Sequence, residues 1–266
     1  MKMVLFPSDY FDINEVDESF KNEYEAVLSN RNCQILLFSY DEWIAEGKLK
    51  LNYRVDTMKD TIYRGWMMKP EIYKNFYCEL QKKNIQLMTA PNEYKKFHSF
   101  PNVYPELKKD TAKMLVYDDV SKVDLKEIKN TFSQFMIKDY VKSVKGTDFP
   151  KCISSDIDED EFNRLMKKFL GYRGELYTGG ICIKEYLDLK LYGDKTNEYR
   201  VFYMNHQIAT VSRNSGQPCY TAEPPKKFIK KYRNLPSPFY TVDYAELSDN
   251  QDIRNFYRLI SVIFER

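Results

Sequence analysis

The chain has 266 residues, enough for one large domain or two modest ones with cores of their own. Its 43% hydrophobic and 30% charged residues are the composition of a globular protein and exclude a disordered one. Lysine and arginine number 41 against 39 acids, and a net charge of +2 argues against a protein that coats nucleic acid, although it leaves room for a local basic groove. The apolar run in MKMVLFPSDYF is too short for a signal peptide, and no uncharged stretch is long enough to span a bilayer. Five scattered cysteines without a C-x-x-C, and only two histidines, argue against zinc. The expectation is a reduced, cytoplasmic protein.

In chain order, MVLFPS reads as a short buried strand and VDESFKNEYEAVLSN as an amphipathic helix. QILLFSY is a second strand and DTIYRGWMM a third. PEIYKNFYCELQKKN is a helix with proline at its first position. IQLMT and APNEYKKFHSF follow as strand and helix, and this alternation predicts a parallel α/β layer. PNVYPELKKDT, with two prolines, reads as a connection between domains, after which the pattern turns toward hairpins. KMLVYDD is a strand, DLKEIKNTF a short helix and FMIKDYVKS another strand. DEDEFNRLMKKFL is the clearest helix, capped by Asp158 with Glu161 three residues on. GGICIKEYLDLKL, NEYRVFYMNHQIATVSR and SPFYTVDYAEL read as strands and FIKKYRNL as a helix.

P-loop, Rossmann, hydrolase-elbow and zincin motifs are all absent from the sequence. What remains is charge set into apolar strands. On FMIKDYVKS, strand alternation puts Lys138, Tyr140 and Lys142 on one face, the lysines about 13 Å apart if the strand is straight. That spacing suits a polyphosphate lying along the strand. Glu185 ends an apolar run, Glu198 and Arg200 share a face of NEYRVFY, and Asp243 is flanked by Val242 and Tyr244. Each of these alone is more often a surface charge or a structural ion pair. Together they offer cations for phosphate, a carboxylate for ribose and a carboxylate for magnesium, which favours one or two carboxylates plus substrate phosphates.

The runs IYRGWMMKPEIYKNFYCELQKKNIQLMTAPNEYKKFH, FMIKDYVKS, ICIKEYLDL, NEYRVFY and FYTVDYAEL, in this order, resemble the ATP-grasp superfamily, and most closely its small clade named for a shared arginine and two lysines. The resemblance implies an N-terminal parallel α/β domain over residues 1–105. A two-lobed α+β ATP-grasp domain would follow over 106–266, with lobes at about 106–178 and 179–266. It implies ATP and magnesium as cofactors. Lys138 and Lys142 would lie along the nucleotide, with Lys113 as a further phosphate lysine. Glu185, Tyr186 and Leu187 match the hinge that meets adenine and ribose. Arg200 matches a phosphate-contacting arginine with Glu198 beside it, and Asp243 the first magnesium carboxylate.

The ending departs from the family's pattern. NQDIRNFYRLISVIFER reads either as a C-terminal helix, by the spacing of Ile253, Phe256, Tyr257 and Ile260, or as a strand LISVIFE that brings Glu265 in as second metal ligand. The activity implied is an ATP- and magnesium-dependent ligase, with Lys138 and Arg200 neutralising charge as a carboxylate becomes an acylphosphate for attack by an amine. Its partners would be small-molecule or peptide carboxylates and amines, with no membrane. The alternatives are a nucleotide-binding module that has lost catalysis and, further off, a nucleic-acid binder built on lysine- and tyrosine-rich strands. Arg64 reads either as a clamp for a substrate carboxylate or as half of a structural pair.

Overall fold

The computed structural model describes residues 2–30, 32–248 and 257–263, the last as backbone. Four parallel strands open the chain: β1 (Lys2–Pro7), β2 (Cys33–Phe38), β3 (Lys59–Tyr63) and β4 (Ile85–Leu87), ordered β2-β1-β3-β4. Helices α1 (Lys21–Leu28), α2 (Tyr40–Glu46), α3 (Pro70–Gln81) and α4 (Pro91–His98) connect or follow them. β1 is apolar from Met3 on because it is buried from that residue to its end. Helix α3 starts at Pro70, where a missing N–H costs nothing, and turns Tyr73, Phe76 and Leu80 inward. Helix α2 escapes the sequence reading because it is short, yet both of its ends are specified. The Ser39 hydroxyl accepts from the Glu42 amide, and Gly47 closes it at φ 67°.

A second sheet holds β5 (Met114–Tyr117), β6 (Gln134–Asp139), β7 (Ile153–Ser154) and β8 (Ile181–Glu185), all antiparallel in the order β5-β8-β6-β7. Around it lie α5 (Phe100–Leu107), α6 (Leu125–Thr131) and α7 (Glu159–Arg173). One face of the sheet, carrying Phe135, Ile137, Ile181 and Ile183, is buried in a core with Phe162, Met166 and Phe169 of α7. A small hairpin, β9 (Leu191–Tyr192) with β10 (Lys195–Thr196), leads to a third sheet. That sheet holds β11 (Glu198–Met204), β12 (Gln207–Arg213), β13 (Phe239–Glu246) and β14 (Tyr257–Ile263), ordered β12-β11-β13-β14, with α8 (Lys226–Lys231) between β12 and β13. The fold class is the expected one, a parallel α/β layer followed by α+β elements.

Several expectations change in detail. The two-proline segment forms helix α5 as far as Leu107, with Pro101 in its first turn, where a missing N–H costs nothing, and Pro105 inside the helix. β8 lies in the middle of the second sheet, between β5 and β6. Of the two readings of the ending, the described backbone takes the strand, paired antiparallel with β13 so that Ser261 faces Asp243. β3 stops at Tyr63, and the RGWMM run after it is fixed by side chains. Arg64 makes a two-pronged pair with Glu23, at 2.8 and 2.7 Å, which is the structural alternative for that residue. The Tyr94 hydroxyl both accepts from the Met68 amide and donates to the Met68 carbonyl. Phe97 stacks on Tyr240 of β13, so the N-terminal layer and the third sheet share one core.

Candidate nucleotide cleft

A cleft of about 840 Å³ lies between the second and third sheets, with α4 and α5 along one side. Its size is that of a site for a nucleotide-sized ligand. Lys138, Lys142, Glu185, Tyr186, Leu187, Glu198, Arg200 and Asp243 all line it. Lys113 does not: it is exposed at the start of β5, where its backbone brackets Glu185, its carbonyl accepting from the Glu185 amide and its own amide donating to Glu185 Oε2. Glu265 lies outside the described residues.

Lys138 reaches the cleft by strand alternation, since Phe135 and Ile137 face the core and Met136 and Lys138 the other side. The strand does not continue straight to Lys142. It ends at Asp139, whose Oδ1 accepts from the amides of Val141 and Lys142 at 2.7 and 2.6 Å and turns the chain. The 13 Å ladder of lysines expected from a straight strand is therefore replaced by one strand lysine and one loop lysine. Asp139 is 1% exposed, and its Oδ2 accepts from Arg173 Nε at 2.8 Å and from the Thr178 amide. Burial lowers the Lys138 pKa below its ordinary value. Lys142 is also lowered, by desolvation and by the neighbouring Arg173 guanidinium.

Beyond β6, the amides of Glu185 and Tyr186 are committed to the carbonyls of Lys113 and Gln134. Among the described residues the Leu187 amide has no such bond, so it is the N–H of this segment left open. On the third sheet, Glu198 and Arg200 share a face of β11, whose residues alternate between partly buried and buried. Glu198 Oε1 accepts from the Thr196 hydroxyl at 2.6 Å. Arg200 stands opposite Asp243 in register, and the guanidinium grips the carboxylate in a fork at 2.7 and 2.8 Å. Burial works against the Arg200 charge, but the bonds and charge of Asp243 and the charge of Glu23 outweigh it and raise its pKa.

Two buried groups in the cleft escaped the sequence reading. Lys184, 5% exposed, precedes Glu185 on β8. Alternation along ICIKE would have placed it with Cys182 on the cleft face. His98 ends α4, 8% exposed and stacked on Tyr94, with no hydrogen-bond partner at Nδ1 among the described residues. Burial pulls its pKa down to about 4, partly countered by Asp139. Nothing in the local sequence marks His98, because its place depends on how α4 packs against the loop after β6.

No group of three or more His, Cys, Asp or Glu that could cage a metal occurs among the described residues. The donor set instead suits a magnesium ion that arrives with a polyphosphate: carboxylates, Asp243 and Glu198 among them, beside several cations. The residues fit such an ion on the condition that Arg200 releases Asp243. Among the described residues no helix is long and apolar enough to cross a membrane.

A family model described as ATP-grasp domain, R2K clade family 3, matches residues 107–253. No curated protein matches the sequence. Among solved structures, the D-alanyl-alanine synthetase A of Vibrio cholerae is similar, with a TM-score of 0.58 and 10% identity over 99% of this chain and 88% of that one. A RimK domain ATP-grasp protein of Sphaerobacter thermophilus gives 0.60 and 12% over 98% and 90%. The ATP-grasp ligase PsnB, solved with a minimal precursor, gives 0.60 and 9% over 99% and 90%. At these identities the likeness speaks for the fold.

Proposed function

The chain belongs to the R2K clade of ATP-grasp domains, and from that premise we propose that it is an ATP- and magnesium-dependent ligase that joins a carboxylate to an amine. The reading is carried by one observation: six charged residues picked out in apolar strands, together with Tyr186 and Leu187 from the family resemblance, come from four separate stretches of sequence and line a single cleft. In this reading the carboxylate substrate attacks the γ-phosphorus, ADP departs, and the amine displaces phosphate from the acylphosphate. The related ligase PsnB has been solved with magnesium, ADP and a precursor peptide variant, and a small-molecule or peptide acceptor is the class proposed here.

The protein's part is positioning and charge neutralisation. Lys138 and Lys142 hold phosphate oxygens from the β6 side. The Leu187 amide and the carboxylate of Glu185 meet the base and ribose. Arg200 moves from Asp243 to a phosphate oxygen, and Asp243 is freed to hold magnesium, with Glu198 beside them. Magnesium supplies neutralisation of the polyphosphate when bound. We place the nucleotide-binding unit at 106–266, with residues 1–105 forming the wall where the acceptor sits.

The test is thermal unfolding with and without magnesium-ATP, followed by phosphate release with carboxylate acceptors. Ligand at about a hundred times its dissociation constant stabilises by about 2.7 kcal/mol. The wild type should show that shift, and Lys138→Ala should lose most of it. A wild type that does not respond overturns the reading. A second reading, a nucleotide-binding module without turnover, is favoured by the Arg200–Asp243 fork, which occupies the metal carboxylate. Stabilisation by nucleotide, with no phosphate released over a broad panel of acceptors, would decide for it.

A further inference from the structure

Strand register sets two lysines side by side at the floor of the cleft. In the pairing of β6 with β8, Lys138 stands opposite Cys182 and Met136 opposite Lys184. Lys138 and Lys184 are thus diagonal neighbours on one face, within reach of each other for long side chains. Both ammonium groups approach the same ring: Lys184 Nζ lies 4.4 Å and Lys138 Nζ 6.0 Å from the centroid of Phe100 on α5. β8 is an interior strand of its sheet, so Lys184 is flanked by Met136 on one side and Met114 on the other. Two lysines brought to one aromatic face in a ligand-sized cleft make a place that favours an anion when both are charged.

We propose that Lys184 is a nucleotide-binding residue, its ammonium completing with Lys138 a two-cation seat for the phosphate groups nearest the nucleoside. This rests on the nucleotide reading of the cleft and adds to it a third lysine, on the strand that leads into the hinge. Its position just before Glu185 places it next to the segment read as meeting base and ribose.

The seat has a consequence for protons. Burial, and then the charge of Lys138, pull the Lys184 pKa down to about 7, against a small opposing pull from the Cys182 thiol. Among the groups around it are Lys138 on β6, Cys182 on its own strand, Met136 and Met114 on the neighbouring strands and the Phe100 ring on α5, with Glu185 next in the chain bonded to the Lys113 amide. Above about pH 7 the nucleotide-free lysine is therefore largely neutral, and an arriving phosphate favours its charged form. Binding at pH 8 should draw in about one proton, whereas binding at pH 6 should draw in almost none through this group.

The experiment is calorimetric titration of the full chain with magnesium-ADP at pH 8, in two buffers of different ionisation enthalpy. The wild type should take up about one proton. Lys184→Met should lose most of that uptake and bind roughly ten- to a hundredfold more weakly, the range for a hydrogen bond to a charged group. Methionine already flanks the position on both neighbouring strands, so the variant should fold, and its unfolding temperature without ligand checks that. Lys184→Arg, permanently charged, should keep much of the affinity and show no uptake from this site. A wild type that binds while Lys184→Met binds equally well, with unchanged proton uptake, overturns this assignment alone. A wild type that binds no nucleotide overturns the nucleotide reading as well.

Discussion

His98 shows how one buried side chain makes stability depend on pH. Its imidazole has a pKa of about 4 in the folded chain and about 6.5 when unfolded. Between those values the unfolded state holds more protons, so stability rises with pH across the window and is lost as pH falls from 6.5 toward 4. The loss attributable to His98 is at most about 3 kcal/mol. Urea unfolding at pH 7 and pH 4.5 should show a larger drop for the wild type than for His98→Gln, which cannot take up that proton. Equal drops would mean that the imidazole is solvated in both states. The same residue marks a limit of reading sequence. A lone histidine at the end of a short helix looks like surface, and only packing between distant segments buries it.

At the scale of elements, the β6 turn carries the most weight. Asp139 ends the strand, holds the amides of Val141 and Lys142, and pairs with Arg173, whose side chain is 11% exposed. Asp139→Ala would leave that guanidinium buried without its carboxylate, at a cost of about 3–5 kcal/mol. It would also release the loop that carries Lys142, so nucleotide affinity should fall along with stability. Asp139→Asn keeps an acceptor for the two amides and should lose less of both. Denaturant midpoints and nucleotide titrations on the two variants would check this; an alanine variant as stable as the wild type refutes it. The strand itself was legible, because the short apolar run FMI, with the residues after it, has the length of a strand. Its end was not, because an aspartate inside KDYVK reads equally as one more exposed strand position until its four partners are known. Helix α5 was hidden for a related reason: two prolines suggest a connection, yet Pro101 fits the first turn of a helix and the helix carries Pro105 inside it.

Across the whole molecule, the order of strands and helices was legible because apolar periodicity is local, and the α/β then α+β architecture follows from it. The convergence of the cleft is a long-range property. Lys138, Glu185, Arg200 and Asp243 were identifiable as charges in apolar strands, but which charges face each other depends on register. The Arg200–Asp243 fork is the clearest case: two residues assigned separate ligands stand opposite each other on neighbouring strands.

Arg64, Glu23, Arg200 and Asp243 alternate in sign from the N-terminal layer into the third sheet. Arg64 is gripped by Glu23, the Glu23 charge reaches Arg200, and Arg200 grips Asp243. Such an arrangement makes Glu23 an electrostatic counterweight to the cleft although it does not line it. Glu23→Gln removes a negative charge and leaves Arg64 uncompensated, so anionic nucleotide should bind severalfold more tightly at low salt. The gain should shrink as ionic strength rises. Titrations at two salt concentrations would read it, and an affinity unchanged at both would disconnect Glu23 from the site. Coupling of this kind is reciprocal. Whatever disturbs the Arg64–Glu23 grip, including an acceptor settling against the N-terminal layer, then adjusts the hold on nucleotide by the same free energy with which nucleotide adjusts it.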